Sequence, residues 1–273
     1  MIPNPYKLLV VDIDGTLLDK NGAISAKDKD ALVRVRDSGI HVSLSTGRVV
    51  QASLRIINQL ALGGYHMFFD GALVCNTESS EEVYIQPISE DLVRQIIEFV
   101  HLNKIDLDLY SSTDYFVERE TWVTDIRRDF FGLQPTVVDF SKLGQKERII
   151  KGTLVIRSAE ERAKADSFYL HFKNGLNLSR TQTPAYPDID FINVIAPDVS
   201  KGNAMEALAS YFGIHLSEVM AIGDGTNDIS LLSKAGLAIA MGNADDELKA
   251  VADYDTLDVD HNGVAAAIEK FLM

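Results

Sequence analysis

The sequence predicts an α/β fold: a parallel sheet flanked by helices, interrupted by an inserted α+β domain. Short apolar runs alternate with helix-patterned stretches at both ends of the 273-residue chain. Polar, glycine-containing segments begin where those runs stop. In the middle the rhythm changes, and strand-like stretches outnumber helices.

Leu8-Leu9-Val10-Val11 is too short for a helix and stops at Asp12-Ile13-Asp14-Gly15-Thr16, so it reads as a buried strand running into a loop. Ser25 to Ser38 has helical spacing (Ala31, Leu32, Val35), with Ser25 as N-cap and Gly39 just past the end. Ile40 to Ser45 alternates like a strand and runs into Thr46-Gly47-Arg48, after which Val49 to Leu62 is helical. The C-terminal part repeats the rhythm: helix Lys201 to Phe212, buried strand Val219 to Ile222, helix Asp228 to Ala235 with Asp228 as its cap, and strand Leu237 to Met241. Such alternation implies a parallel sheet. Between them, strand-like Ile105 to Tyr110, Tyr115 to Glu118, Ile149 to Ile156 and Asp190 to Ile195 accompany helices Glu90 to Leu102 and Glu160 to Asn174. The expected division is a core of residues 1–82 and 193–273 and an insert of residues 83–192, with hinges near 78–87 and 187–198.

Composition narrows the function. With 46% hydrophobic and 24% charged residues the chain is ordinary globular material, long enough for about two domains. A net charge of -14 argues against nucleic acid or an anionic membrane surface as partner, since both require clustered Lys and Arg. Met1 to Val11 does not read as a signal peptide, and no apolar run approaches a membrane span. The single cysteine, Cys75, allows no internal disulfide and reads as a structural thiol in a cytoplasmic setting. No obligate protein partner is indicated. His66, His101, His171, His215 and His261 lack metal-ligand spacing, and Trp122, Tyr110, Tyr115 and Phe116 read as packing residues of the insert.

Ligands of open parallel sheets bind beyond the carboxyl ends of the strands. The reading above puts Asp12 and Asp14 at one such end, Thr46 at a second, and Asp224, Asn227 and Asp228 at a third. Converging carboxylates repel by roughly 4 kcal/mol per pair at about 4 Å and an effective dielectric near 20. A divalent cation is the simplest remedy, and all-oxygen donors suit Mg²⁺ rather than zinc.

Asp12-Ile13-Asp14-Gly15-Thr16-Leu17-Leu18-Asp19 resembles the nucleophile motif of the haloacid dehalogenase superfamily of phosphohydrolases. Ser43-Leu44-Ser45-Thr46-Gly47-Arg48 resembles its second motif, Ser200-Lys201-Gly202 its third and Gly223-Asp224-Gly225-Thr226-Asn227-Asp228 its fourth. With Ala240-Met241-Gly242-Asn243-Ala244 and Asn262-Gly263-Val264-Ala265, the pattern is similar to the Cof-type phosphatases, which insert a large α+β cap into a Rossmann-like core.

The resemblance implies an Mg²⁺-dependent phosphatase acting on small phosphorylated metabolites, sugar phosphates among them, through an aspartyl phosphate on Asp12. Asp14 would serve as general acid and base, a role absent from the superfamily's dehalogenases and transport ATPases. Asp12, Asp224 and the backbone carbonyl of Asp14 would hold the metal, with Asp228 acting through waters or by orienting Lys201. Ile13, Thr46, Gly47, Lys201 and Asn227 would bind phosphate, and Arg48 either reaches the substrate or braces the loop. A sugar phosphomutase and a non-catalytic sensor of a phosphorylated ligand are the alternatives. Where the family pattern commonly has Asn-Gly-Ala, this chain has Asp70-Gly71-Ala72, read as a turn in preference to a charge that alters leaving-group choice.

Overall fold

The computed structural model describes residues 4–143, 147–183 and 186–273. In chain order they form β1 (Leu8–Asp12), α1 (Ala26–Asp37), β2 (His41–Ser45), α2 (Val50–Leu60), β3 (Tyr65–Phe68), β4 (Leu73–Asn76), β5 (Glu82–Ile85), α3 (Glu90–Asn103), β6 (Asp108–Tyr110), β7 (Tyr115–Val117), α4 (Trp122–Phe131), β8 (Thr136–Val137), β9 (Lys151–Ile156) and α5 (Ala159–Phe172). Then come β10 (Asn177–Thr183), β11 (Tyr186–Ile195), α6 (Lys201–Phe212), β12 (Val219–Gly223), α7 (Ile229–Leu232), β13 (Leu237–Ala240), α8 (Asp246–Lys249), β14 (Tyr254–Asp255) and α9 (Gly263–Phe271). They fall into two compact units. One holds the chain up to Arg48, Ser53–Tyr84 and Ser200–Met273; the other holds Val49–Ala52 and Ile85–Val199.

The first unit is built on a sheet of order β14-β13-β12-β1-β2-β3-β4-β5. Every residue of β1 and β12 is buried, as expected of parallel strands covered on both faces. The sheet is parallel from β14 to β3, but β4 returns antiparallel to β3, pairing Phe68 with Leu73 and Tyr65 with Asn76. The link Phe69–Gly71 is a three-residue turn with positive φ throughout, too short for a crossover, so only an antiparallel return is open to it. Ser25 caps α1 as its spacing predicts, accepting the Asp28 amide at 3.0 Å. The Asp28 carboxylate in turn accepts the Ala265 amide at 2.7 Å, tying α1 to the start of α9.

Helix α7 differs from the sequence expectation of Asp228 to Ala235. Only Ile229–Leu232 is α-helical, after a 3₁₀ turn over Thr226–Asp228. The chain tightens as Lys234 and Ala235 donate to carbonyls three residues back. Gly236 then passes so near Ser217 that a Cβ there would lie 2.4 Å from its carbonyl oxygen.

The second unit has a sheet of order β10-β11-β9-β6-β7-β8, antiparallel except between β7 and β8. Strand β11 stays in this sheet through Ile195, so the unit runs to Val199, beyond the 192 drawn from the sequence. Alternation gives it two unlike faces. Leu109, Phe116, Leu154, Ile192 and Val194 form an apolar core with Ile96 and Val100 of α3 and Phe168 and Phe172 of α5. The alternate positions carry Asp108, Tyr110 and Tyr115, and Asp108 accepts both tyrosine hydroxyls (3.3 and 3.1 Å) and Nε of Arg127 (3.1 Å), all buried. The tyrosines therefore pack, as their sequence context suggested, but do so around an ion pair. Among the described residues no helix is long and apolar enough to cross a membrane. Cys75 is buried, and burial, with Glu82 adding to it, pushes its thiol up to about 11.

His66, fully buried at β3, links that strand to its neighbours. The Leu44 amide donates to Nδ1 at 3.0 Å and Nε2 lies 3.2 Å from the Leu62 carbonyl, which fixes the proton on Nε2. Burial lowers its pKa to about 4, against the Leu62 carbonyl, which favours the charged ring. The unfolded chain binds that proton near pH 6.5 and the folded chain does not, so stability falls as pH drops from 6.5 toward 4 and is fully present above 6.5. Between pH 7 and pH 5 His66 should contribute a loss of about 2 kcal/mol, at 1.36 kcal/mol per pKa unit. His66→Gln should remove this part of the pH slope in urea denaturation, read as the difference from wild type.

Candidate active site

Adjacent parallel strands deliver their carboxyl ends to one edge of the sheet, which is where the polar residues gather. Strand β1 ends in Asp12, whose register partner on β2 is Ser45, next to Thr46. Strand β12 ends in Gly223, beside Asp224, and β3 ends just before Asp70. Lys201 opens α6, which Ser200 caps by accepting the Asn203 amide at 3.1 Å.

Lys201 is 1% exposed, although a lysine at a helix start is ordinarily solvated. Its Nζ donates to Asp12 Oδ1 and to Asp228 Oδ1, each at 2.6 Å. Burial alone would lower its pKa, but Asp12, Asp228 and Asp70 outweigh burial and hold it above its ordinary value. Asp12, Asp224 and Asp228 each bring a carboxylate oxygen within 4.8 Å of the other two. Burial lifts Asp12 above the ordinary carboxylate range; Lys201 pulls the other way, and Asp228 and Asp224 reinforce burial. Burial likewise raises Asp224 to about 6, against the Thr16 hydroxyl, which donates to its Oδ1 at 2.7 Å, and with Asp228 adding to the rise. Three carboxylates face one ammonium, an excess of negative charge on oxygen donors alone. The cluster can hold a divalent metal ion.

Asp228 does not cap α7. Its Oδ2 turns back to accept the amides of Asp224 (3.1 Å) and Gly225 (3.2 Å), because the Lys201 contact holds its other oxygen on the near side of the loop. Gly15, at φ +87°, is required for two reasons: its backbone is left-handed, and a Cβ would sit 2.1 Å from Asp224 Oδ2.

A second group stands beside the first. Arg48 donates Nε to Asp14 Oδ2 at 2.8 Å and Nη2 to Oδ1 at 2.6 Å, a bidentate pair in which Asp14 is about half exposed. The Asp14 side chain is thus turned to Arg48 and is absent from the carboxylate triad, leaving its backbone carbonyl as the donor expected for a metal. Arg48 is thus paired with Asp14 rather than projecting free. Thr46 is buried, and its hydroxyl accepts the Arg48 amide at 3.1 Å. The Ile13 side chain is buried, so only its backbone can meet a ligand. Asn227 donates Nδ2 to Asp70 Oδ1 at 3.3 Å.

Three contributors went unassigned in the sequence: Thr16 on Asp224, Asp70 on Asn227, and Asn243, which donates to the Gly15 carbonyl at 2.9 Å and accepts the Val259 amide. Each lies within a few residues of the carboxyl end of a core strand, a placement that the apolar runs of the sequence themselves mark.

The charge excess has two measurable consequences. Asp224→Asn should stabilise chelator-treated protein against urea by about 1–2 kcal/mol after allowing for partial exposure, and abolish the stabilisation that wild type gains from a divalent cation. An unchanged cation response would remove Asp224 from the metal site. Lys201→Met should destabilise by about 3–5 kcal/mol, the usual cost of leaving one side of a buried ion pair uncompensated.

Comparison with known proteins points to phosphatases. The chain is similar to phosphatase YwpJ of Bacillus subtilis strain 168, 28% identical over 285 aligned residues that span 97% of this chain and 100% of that one. It is 27% identical to the 5-amino-6-(5-phospho-D-ribitylamino)uracil phosphatase YwtE of the same organism, over 97% and 98% of the two chains. Among solved structures, the sugar phosphatase BT4131 of HAD subclass IIB superimposes with a TM-score of 0.76 at 28% identity, covering 97% of this chain and 98% of that one. The family model for haloacid dehalogenase-like hydrolases matches residues 9–268. The chain belongs to the haloacid dehalogenase-like hydrolase family.

Proposed function

We propose that this phosphatase is Mg²⁺-dependent and hydrolyses phosphomonoesters of small cytoplasmic metabolites, sugar phosphates among them, through an aspartyl phosphate on Asp12. The observation that carries the reading is the buried Lys201 ammonium, held between Asp12 and Asp228 with Asp224 in reach of both. A structural ion pair would have no use for the third carboxylate.

The carboxylates of Asp12 and Asp224 and the Asp14 carbonyl would hold Mg²⁺, with Asp228 orienting Lys201. When bound, the metal neutralises these carboxylates and the phosphoryl oxygens. Asp12 attacks phosphorus in line, and the ester oxygen leaves with a proton from Asp14. Water then attacks the aspartyl phosphate, gives its proton to Asp14, and Asp12 is regenerated as phosphate departs. Thr46, the Gly47 amide, Lys201 and Asn227 supply donors to the phosphoryl oxygens, and the contacts described above fix Thr46, Lys201 and Asn227 in advance. Arg48 occupies both Asp14 oxygens, so Asp14 can transfer a proton only once the guanidinium turns aside toward the arriving anion. The substrate class is supported by BT4131, named a sugar phosphatase, and by YwtE, named for a phosphoribityl ester.

A panel of phosphate esters assayed with and without Mg²⁺ tests this. Wild type should release phosphate only with the metal, and Asp12→Asn should release none. Isomerised sugar phosphate without free phosphate would replace hydrolysis with mutase chemistry. Asp14→Asn should slow alkyl esters by about 10²–10⁴, yet release a burst of p-nitrophenol near one equivalent from p-nitrophenyl phosphate. That leaving group needs no acid, whereas hydrolysis of the intermediate still needs the base.

A further inference from the structure

The left-handed turn after β3 inserts a carboxylate among the groups assigned to phosphate. Asp70 is left-handed (φ 57°, ψ 26°), a conformation that Asp and Asn tolerate. Two backbone bonds pin the turn to the Thr46-to-Arg48 loop: Asp70 N–H to the Thr46 carbonyl (3.0 Å) and Phe69 N–H to the Arg48 carbonyl (3.1 Å). The carboxylate lies flat against Gly47, where a Cβ would come within 2.7 Å of Oδ1 and 2.9 Å of Oδ2. Oδ1 accepts the Asn227 amide at 3.3 Å. The next residue, Gly71, presses on Ser200, where its Cβ would be 2.3 Å from the carbonyl oxygen, and the Asp70 charge reaches Lys201. Thr46, Gly47, Asn227 and Lys201 thus all border one fixed negative charge.

We propose that Asp70 is a positioning residue that sets the site's affinity for phosphate: its carboxylate holds the Asn227 amide in place and weakens the site's grip on phosphate anions, so that product leaves. This rests on the phosphatase reading above. The phosphoryl oxygens are negative in ester, transition state and product, so a fixed charge beside them weakens binding of all three. Its effect therefore appears in KM and in product inhibition together.

Asp70→Asn separates charge from shape, since Asn keeps the acceptor for Asn227 and tolerates the left-handed backbone. With Mg²⁺ present, KM for an ester and the inhibition constant of inorganic phosphate should both fall about fivefold, the scale of one charge at about 4 Å in water-like surroundings. The gain should shrink as salt rises. Direct titration with inorganic phosphate should show the same tightening. Asp70→Gly, free of strain at this φ, should also tighten phosphate but lower kcat, because nothing then holds Asn227. Unchanged or weaker phosphate affinity in both variants overturns the proposal. Absence of ester turnover by wild type would instead defeat the phosphatase reading, and the phosphate titration would still decide the role of Asp70.

Discussion

One ammonium buried between two carboxylates organises the first unit. Lys201 reaches Asp12 and Asp228 from the start of α6, and its charge opposes the burial that lifts Asp12 above the ordinary carboxylate range. Removing three charges from water is costly, and a hydrophobic substitute would serve stability better. What the arrangement gains is fixed charge with little freedom to reorganise, at the edge where three strands end. Asp228 shows how economically the contact is used: one oxygen orients the lysine while the other closes the loop that presents Asp224.

Much of this was legible in the sequence, for a physical reason. Strands β1, β12 and β13 are unbroken apolar runs bounded by polar residues, and α1 carries its serine cap at the expected place. Local signals of that kind survive into the fold because burial and capping act over a few residues. The carboxylate cluster was also foreseeable, since parallel strands bring their ends to one edge. What could not be read locally was decided by distant partners. Asp228 has the position of a helix cap, but a lysine 27 residues away in sequence claims its carboxylate. The helix expected through Ala235 stops at Leu232 because Gly236 must slip past Ser217. The run of parallel strands ends at β3 because the following turn is too short to cross over.

Asp70 illustrates a reading that was correct and incomplete. Its segment is a turn, as dihedral preference suggests, yet its side chain belongs to the site as well. The second unit teaches the same lesson at larger scale. One set of alternating positions makes an ordinary apolar core, while the other gathers Asp108, Arg127 and two tyrosines in a buried polar network. Such a network is costly unless every member is satisfied, and therefore constrains the strands that carry it.

The contacts that close the first unit join residues far apart in the chain: 189 residues separate Asp12 from Lys201, and 237 separate Asp28 from Ala265. A ribosome delivers these partners in strict order. At about 5–20 residues per second, Asp12 emerges roughly 10–40 s before its counter-ion. The stretch Ile85–Val199 leaves in between, continuous and carrying its own sheet and core. During that interval β1 exists without β12, so a strand of four apolar residues before Asp12 waits with an unpaired edge. A nascent chain of this design is most exposed to misassociation midway through its synthesis, a hazard set by where the second unit is inserted.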